Sequence, residues 1–86
     1  MKTDFLLMAQ YSGQAIIPLE TLHHDYFSRL TWRVFLRKLD SGEIPLAVVR
    51  LEASQKGARG VYLTDFARYL DACHEAAIRE LQALQS

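Results

Sequence analysis

Arg33 and Arg37 are four positions apart, so on a helix their guanidinium groups stand one turn apart on the same face. A guanidinium is a planar, permanently charged fork. Its N–H groups match two acceptors lying in one plane, such as the O6 and N7 edge of guanine or the oxygens of a phosphate. Thr31, Val34 and Lys38 flank this pair and Arg29 precedes it, while Ser54, Gln55, Lys56 and Arg59 form a second polar, basic cluster. Seven of the ten Lys and Arg residues fall between Arg29 and Arg59, although the formal net charge is zero. Residues 29–61 carry seven basic and three acidic side chains, a net of plus four, and the segments on either side are each minus two. Charge placed in this way is aimed at an anionic partner or is simply a solvated face; the elements that carry it decide between the two.

Other constellations carry less chemistry. His23, His24 and Asp25 are adjacent, and neighbours on a helix point about 100° apart, so they do not converge on one metal ion. Cys73, His74 and Glu75 fail the same test as a nucleophile with its base, and Cys73 falls on an apolar stripe, which predicts a buried, inert thiol. There is no Gly-rich phosphate loop and no carboxylate pair at converging spacing, so the sequence offers no catalytic residues, no metal ligands and no cofactor motif. A single cysteine excludes an intrachain disulfide and fits a reducing cytoplasm. The run Phe5–Ala9 is too short for a membrane span or a signal-peptide core. At 86 residues the chain is expected to be one domain, 1–86.

Stepping along the chain, the apolar run Asp4–Gln10 reads as a strand, and Tyr11-Ser12-Gly13-Gln14 as a turn leading to a second short strand at Ala15–Ile17. Pro18 suits the start of a helix, and Leu19, Leu22 and Tyr26 continue it at helical spacing. A short connection leads to Thr31, an N-cap for a helix in which Trp32, Phe35, Leu36 and Leu39 form the apolar stripe. Gly42 and Pro45 end that helix. Leu46–Leu51 and Gly60–Leu63 read as two strands around the basic loop at 52–59, together a wing. Thr64 or Asp65 caps a last helix of about 64–85, in which Phe66, Leu70, Cys73, Ala77, Leu81 and Leu84 recur every three or four residues. The fold expected is therefore α+β: a winged helix-turn-helix with an N-terminal strand or hairpin and a long C-terminal helix. Twenty residues of helix span about 30 Å, more than this core needs, so Ala77, Ile78, Leu81 and Leu84 are expected to pair with a second copy of the chain as a homodimer.

Several blocks resemble the pyocin activator protein PrtN family of bacteria and their prophages. They are Phe5-Leu6-Leu7-Met8-Ala9-Gln10-Tyr11, Ile17-Pro18-Leu19-Glu20, Asp25-Tyr26-Phe27, Ser54-Gln55-Lys56 and Val61 through Asp71. More loosely, Leu30-Thr31, Ser41-Gly42-Glu43-Ile44-Pro45 and Tyr62 through Leu70 look like winged-helix excisionase and MerR-type domains. Gly57-Ala58-Arg59 departs from the Ala-Pro that commonly follows the Ser-Gln-Lys block in the family. The resemblance implies a transcriptional activator that binds promoter-proximal boxes on double-stranded DNA, with RNA polymerase as a further partner, and switches on pyocin or prophage-type genes.

On this reading the helix at 31–41 enters the major groove, where Arg33 and Arg37 read bases, Val34 touches a thymine methyl and Thr31 and Lys38 contribute. Arg29, Ser54, Gln55, Lys56 and Arg59 are expected to contact the backbone. Two other functions fit the same pattern: an excisionase-like factor that bends DNA, and a protein-interaction module that never touches nucleic acid.

Overall fold

The computed structural model describes residues 3–52 and 58–85. Its elements run α1 (Thr3–Gln10), β1 (Ile16–Pro18), α2 (Leu19–Tyr26), α3 (Trp32–Ser41), β2 (Val49–Arg50), β3 (Arg59–Tyr62) and α4 (Leu63–Gln85). The three strands form one antiparallel sheet in the order β1-β3-β2. This is an α+β fold of the winged-helix kind with a long C-terminal helix.

The N-terminal strand expected from Asp4–Gln10 is instead the helix α1. Its Leu, Met, Ala and Gln are good helix formers, and Asp4 sits in the first turn, where a negative charge meets the positive end of the helix dipole. Leu7 is the residue it buries, and Tyr11, four further on and just past its end, is buried beside it. Ser12 and Gly13 take left-handed backbone (φ 56° and 74°), and the Gly13 N–H donates to the Met8 carbonyl at 2.8 Å, ending the helix. The predicted turn is thus real, but it closes a helix rather than a hairpin. β1 pairs with β3, in the register Ile16↔Tyr62, Ile17↔Val61 and Pro18↔Gly60.

Gly60 is the point where the sheet closes. It lies in the central strand opposite both Pro18 and Val49, and a Cβ there would come within 2.5 Å of Ile16 Cγ2 and 2.6 Å of the Ile17 carbonyl oxygen. A side chain at this position pushes β1 away, so the absence of one sets the spacing of the sheet.

One apolar cluster holds the elements together. Phe35, Phe66, Ile17, Leu19, Leu22 and Val61 are its largest fully buried side chains, each stabilising by roughly 1.5–3 kcal/mol. The first wing strand is shorter than expected: β2 is only Val49–Arg50, while Leu46 is buried in the loop before it. The last helix needs neither Thr64 nor Asp65 to begin it. It starts at Leu63, whose N–H donates to the Ala15 carbonyl at 2.9 Å. Thr3 Oγ1 donates to Asp71, tying α1 along α4. Beyond that contact α4 continues past the body, and the molecule measures 51 × 28 × 19 Å.

Candidate nucleic-acid interface

α2, the turn at residues 27–31 and α3 form a helix-turn-helix. Phe27 N–H donates to the His23 carbonyl and Leu30 N–H to the Phe27 carbonyl, both at 3.0 Å. His23 locks the turn: its Nε2 lies 2.6 Å from the Leu30 carbonyl, so this nitrogen carries the proton and donates. The imidazole packs edge-on to Trp32 (centroids 5.5 Å) and against Phe35 (5.2 Å). His23 therefore works as a fastener between the two helices, and His24 is exposed.

Thr31 caps α3, its Oγ1 accepting from Val34 N–H at 3.2 Å. Its own O–H is left to donate outward. At the other end Gly42 takes φ 81°, and the Ile44 N–H donates to the Lys38 carbonyl at 3.1 Å. Phe35 and Leu39 are buried, whereas Trp32 and Leu36, expected in the same buried stripe, are half-buried. On the opposite face Arg33 and Arg37 are exposed, with Val34 and Lys38 half-buried at its flank. Asp40 and Ser41 are also exposed.

Among the described residues neither Arg33 nor Arg37 is in an ion pair, and Arg29, exposed in the turn, is in none either. Lys38 differs, because its Nζ bonds Glu43 at 3.1 Å. A partly exposed pair of this kind is worth about 1 kcal/mol or less, so it yields readily to a phosphate.

In the wing, Ser54, Gln55 and Lys56 lie outside the described residues. Arg59 is half-buried on β3, directly opposite the exposed Arg50 of β2. The strand register, not the sequence pattern, singles out Arg50, whose one sequence signal is its place in a run of β-formers next to the basic loop.

The far half of α4 presents Ala77, Ile78, Leu81 and Leu84 to solvent, Leu84 at 85%. They continue the helical face that buries Leu63, Phe66 and Ala67 nearer the body. Cys73 is exposed, not buried as the stripe predicted. Burial, with Cys73 as a lesser cause, raises the neighbouring Tyr69 hydroxyl above its ordinary pKa.

A polar cluster ties α1 to α2. The Tyr11 hydroxyl donates to Asp25 Oδ2 at 2.8 Å, and the Tyr26 hydroxyl to Gln10 Oε1 at 2.9 Å. Bonds from His24 first and Tyr11 second hold the Asp25 carboxyl below its usual range, and burial together with Asp25 pushes the Tyr11 hydroxyl well up. Two of the five blocks quoted above for the resemblance, those containing Gln10-Tyr11 and Asp25-Tyr26, meet here.

No helix among the described residues is long and apolar enough to cross a membrane, and no three His, Cys, Asp or Glu among them are grouped to hold a metal ion. No curated protein and no solved structure matches the chain. The family model described as pyocin activator protein PrtN matches residues 3–77. Since that match runs from the first turn of α1, through the helix-turn-helix and wing, to the middle of α4, the chain belongs to the pyocin activator protein PrtN family.

Proposed function

We propose that the chain is a sequence-specific, non-catalytic DNA-binding activator of pyocin or prophage-type genes, with α3 in the major groove and the wing on the backbone. The observation that carries this reading is the outward face of α3: Arg33 and Arg37, one turn apart, exposed, and in no ion pair among the described residues. A major groove about 12 Å wide admits one helix, and two guanidinium forks at this spacing suit successive base edges. Membership of an activator family supports the regulatory half of the reading.

A salt titration of duplex binding tests it. If a dimer neutralises roughly six to eight phosphates, log affinity falls against log salt with a slope of about −5 to −7. A slope near zero favours a protein-interaction module instead, a reading supported by the exposed Phe5, Leu6 and Met8 on α1.

Homodimerisation through the far half of α4 is part of the proposal. It is supported by Ile78, Leu81 and Leu84, which would otherwise keep apolar area in water. Sedimentation equilibrium is expected to give a dimer that Leu81→Asp converts to a folded monomer. A monomeric parent chain at micromolar concentration removes this part.

A further inference from the structure

The register of the wing stem sets Arg50 directly opposite Arg59. Opposed residues of an antiparallel pair emerge on the same face with Cβ atoms about 4.5–5.5 Å apart. The pairing is held on both sides of this position: Val49 is matched to Gly60, and Leu51 N–H donates to the Ala58 carbonyl at 2.9 Å. The two arginines therefore cannot slip past one another.

Alternation along β3 says which face they share. Arg59 is two residues from Val61, and Val61 is fully buried opposite the fully buried Ile17. The arginine pair thus extends the core-facing side of the sheet beyond the edge of the core, while Tyr62 on the other side is exposed.

Like charges directly opposite in a ladder destabilise it, and a guanidinium cannot relieve this by losing its proton. Nor does a carboxylate bridge them: among the described residues neither Arg50 nor Arg59 is in an ion pair, and Glu52 is in none. In the free protein this arrangement only costs stability. An anion between the two forks reverses the sign, and a phosphodiester, with two unesterified oxygens and one negative charge, offers one oxygen to each fork.

We propose that Arg50 and Arg59 together form a seat for a single phosphodiester of a nucleic-acid backbone. The source of that phosphate rests on the duplex-binding reading above; the anion seat itself does not.

Arg50→Gln, Arg59→Gln and the double variant of the full chain test it. Each single variant is expected to melt no lower than the parent at low salt, with any gain vanishing in molar salt, where the repulsion is screened. On duplex DNA, one shared phosphate makes the double variant lose about 0.9 of the log–log salt slope per bound chain, about 1.8 for a dimer, whereas either single variant, whose remaining guanidinium still neutralises that phosphate, loses less. Inorganic tripolyphosphate is expected to raise the parent's melting temperature above that in chloride of equal ionic strength, and to leave the double variant unmoved. Should the parent bind no duplex while tripolyphosphate still discriminates, the seat stands and the duplex reading fails. Single variants that melt lower at low salt, a double variant losing about 1.8 of slope per bound chain (about 3.6 for a dimer) as two separate phosphates would require, or equal tripolyphosphate shifts in parent and double variant each overturn the seat.

Discussion

Phe35→Ala is expected to lower stability by about 3–5 kcal/mol, because it empties a fully buried aromatic position and leaves a cavity behind. Phe35 is where three rings meet: His23 at 5.2 Å, Phe27 at 5.1 Å and Trp32 at 5.8 Å, so the loss falls on the joint between α2 and α3. A chain of this size commonly has about 5–10 kcal/mol in total, so the variant loses about a third or more of its stability. At roughly 4–8 °C per kcal/mol the melting midpoint followed by circular dichroism drops by more than about 12 °C. Trp32→Ala should cost less, since Trp32 is only half-buried at the start of α3. A melt within a few degrees of the parent for Phe35→Ala would show that the α2–α3 joint does not hold the domain together.

The second large effect is functional. Replacing Arg33 and Arg37 together by Ala should leave the melt unchanged, because both side chains are exposed and unpaired among the described residues. Affinity for the preferred duplex, first selected from a random pool with the parent chain, should fall by about 1–3 kcal/mol per arginine, and base choice at the contacted positions should relax. Arg29→Ala serves as the contrast, weakening all duplexes alike as a phosphate contact does. Uniform losses from the arginine pair on every sequence would remove it from base reading. No loss at all would take α3 out of the groove.

Much of this architecture is legible in the residues. Thr31, the spacing Phe35 and Leu39, and Gly42 define α3 because each element of a helix signal is present: a cap, a stripe and a left-handed stop. α1 is not legible in the same way. Its run of consecutive apolar residues has no period, since Phe5, Leu6 and Met8 face solvent while Leu7 alone of them is buried, and such a run fits strand and helix equally. β2 is shorter than its apolar run suggests because Leu46, buried, and Val48, half-buried, pack from the loop before it with no strand partner opposite them. The exposure of Cys73 is not legible either, because helical period reports which side of α4 is apolar, not how much of that side is covered. For the site, composition located the basic stretch and α3 exposed its arginines, but the opposition of Arg50 to Arg59 depends on strand register, which no local pattern encodes.

Strand β3 ends at Tyr62 and helix α4 starts at Leu63, with no connecting residue between them. That junction is stitched to the neighbouring segment by the bond from Leu63 N–H to the Ala15 carbonyl. Wing and C-terminal helix are consequently one lever with no hinge. Under the proposed pairing, two chains clasped by their levers offer their wings at one fixed offset and one fixed angular phase. Their binding sequence is then defined by a ruler as much as by its letters, and half-sites turned to opposite sides of the double helix fall out of reach.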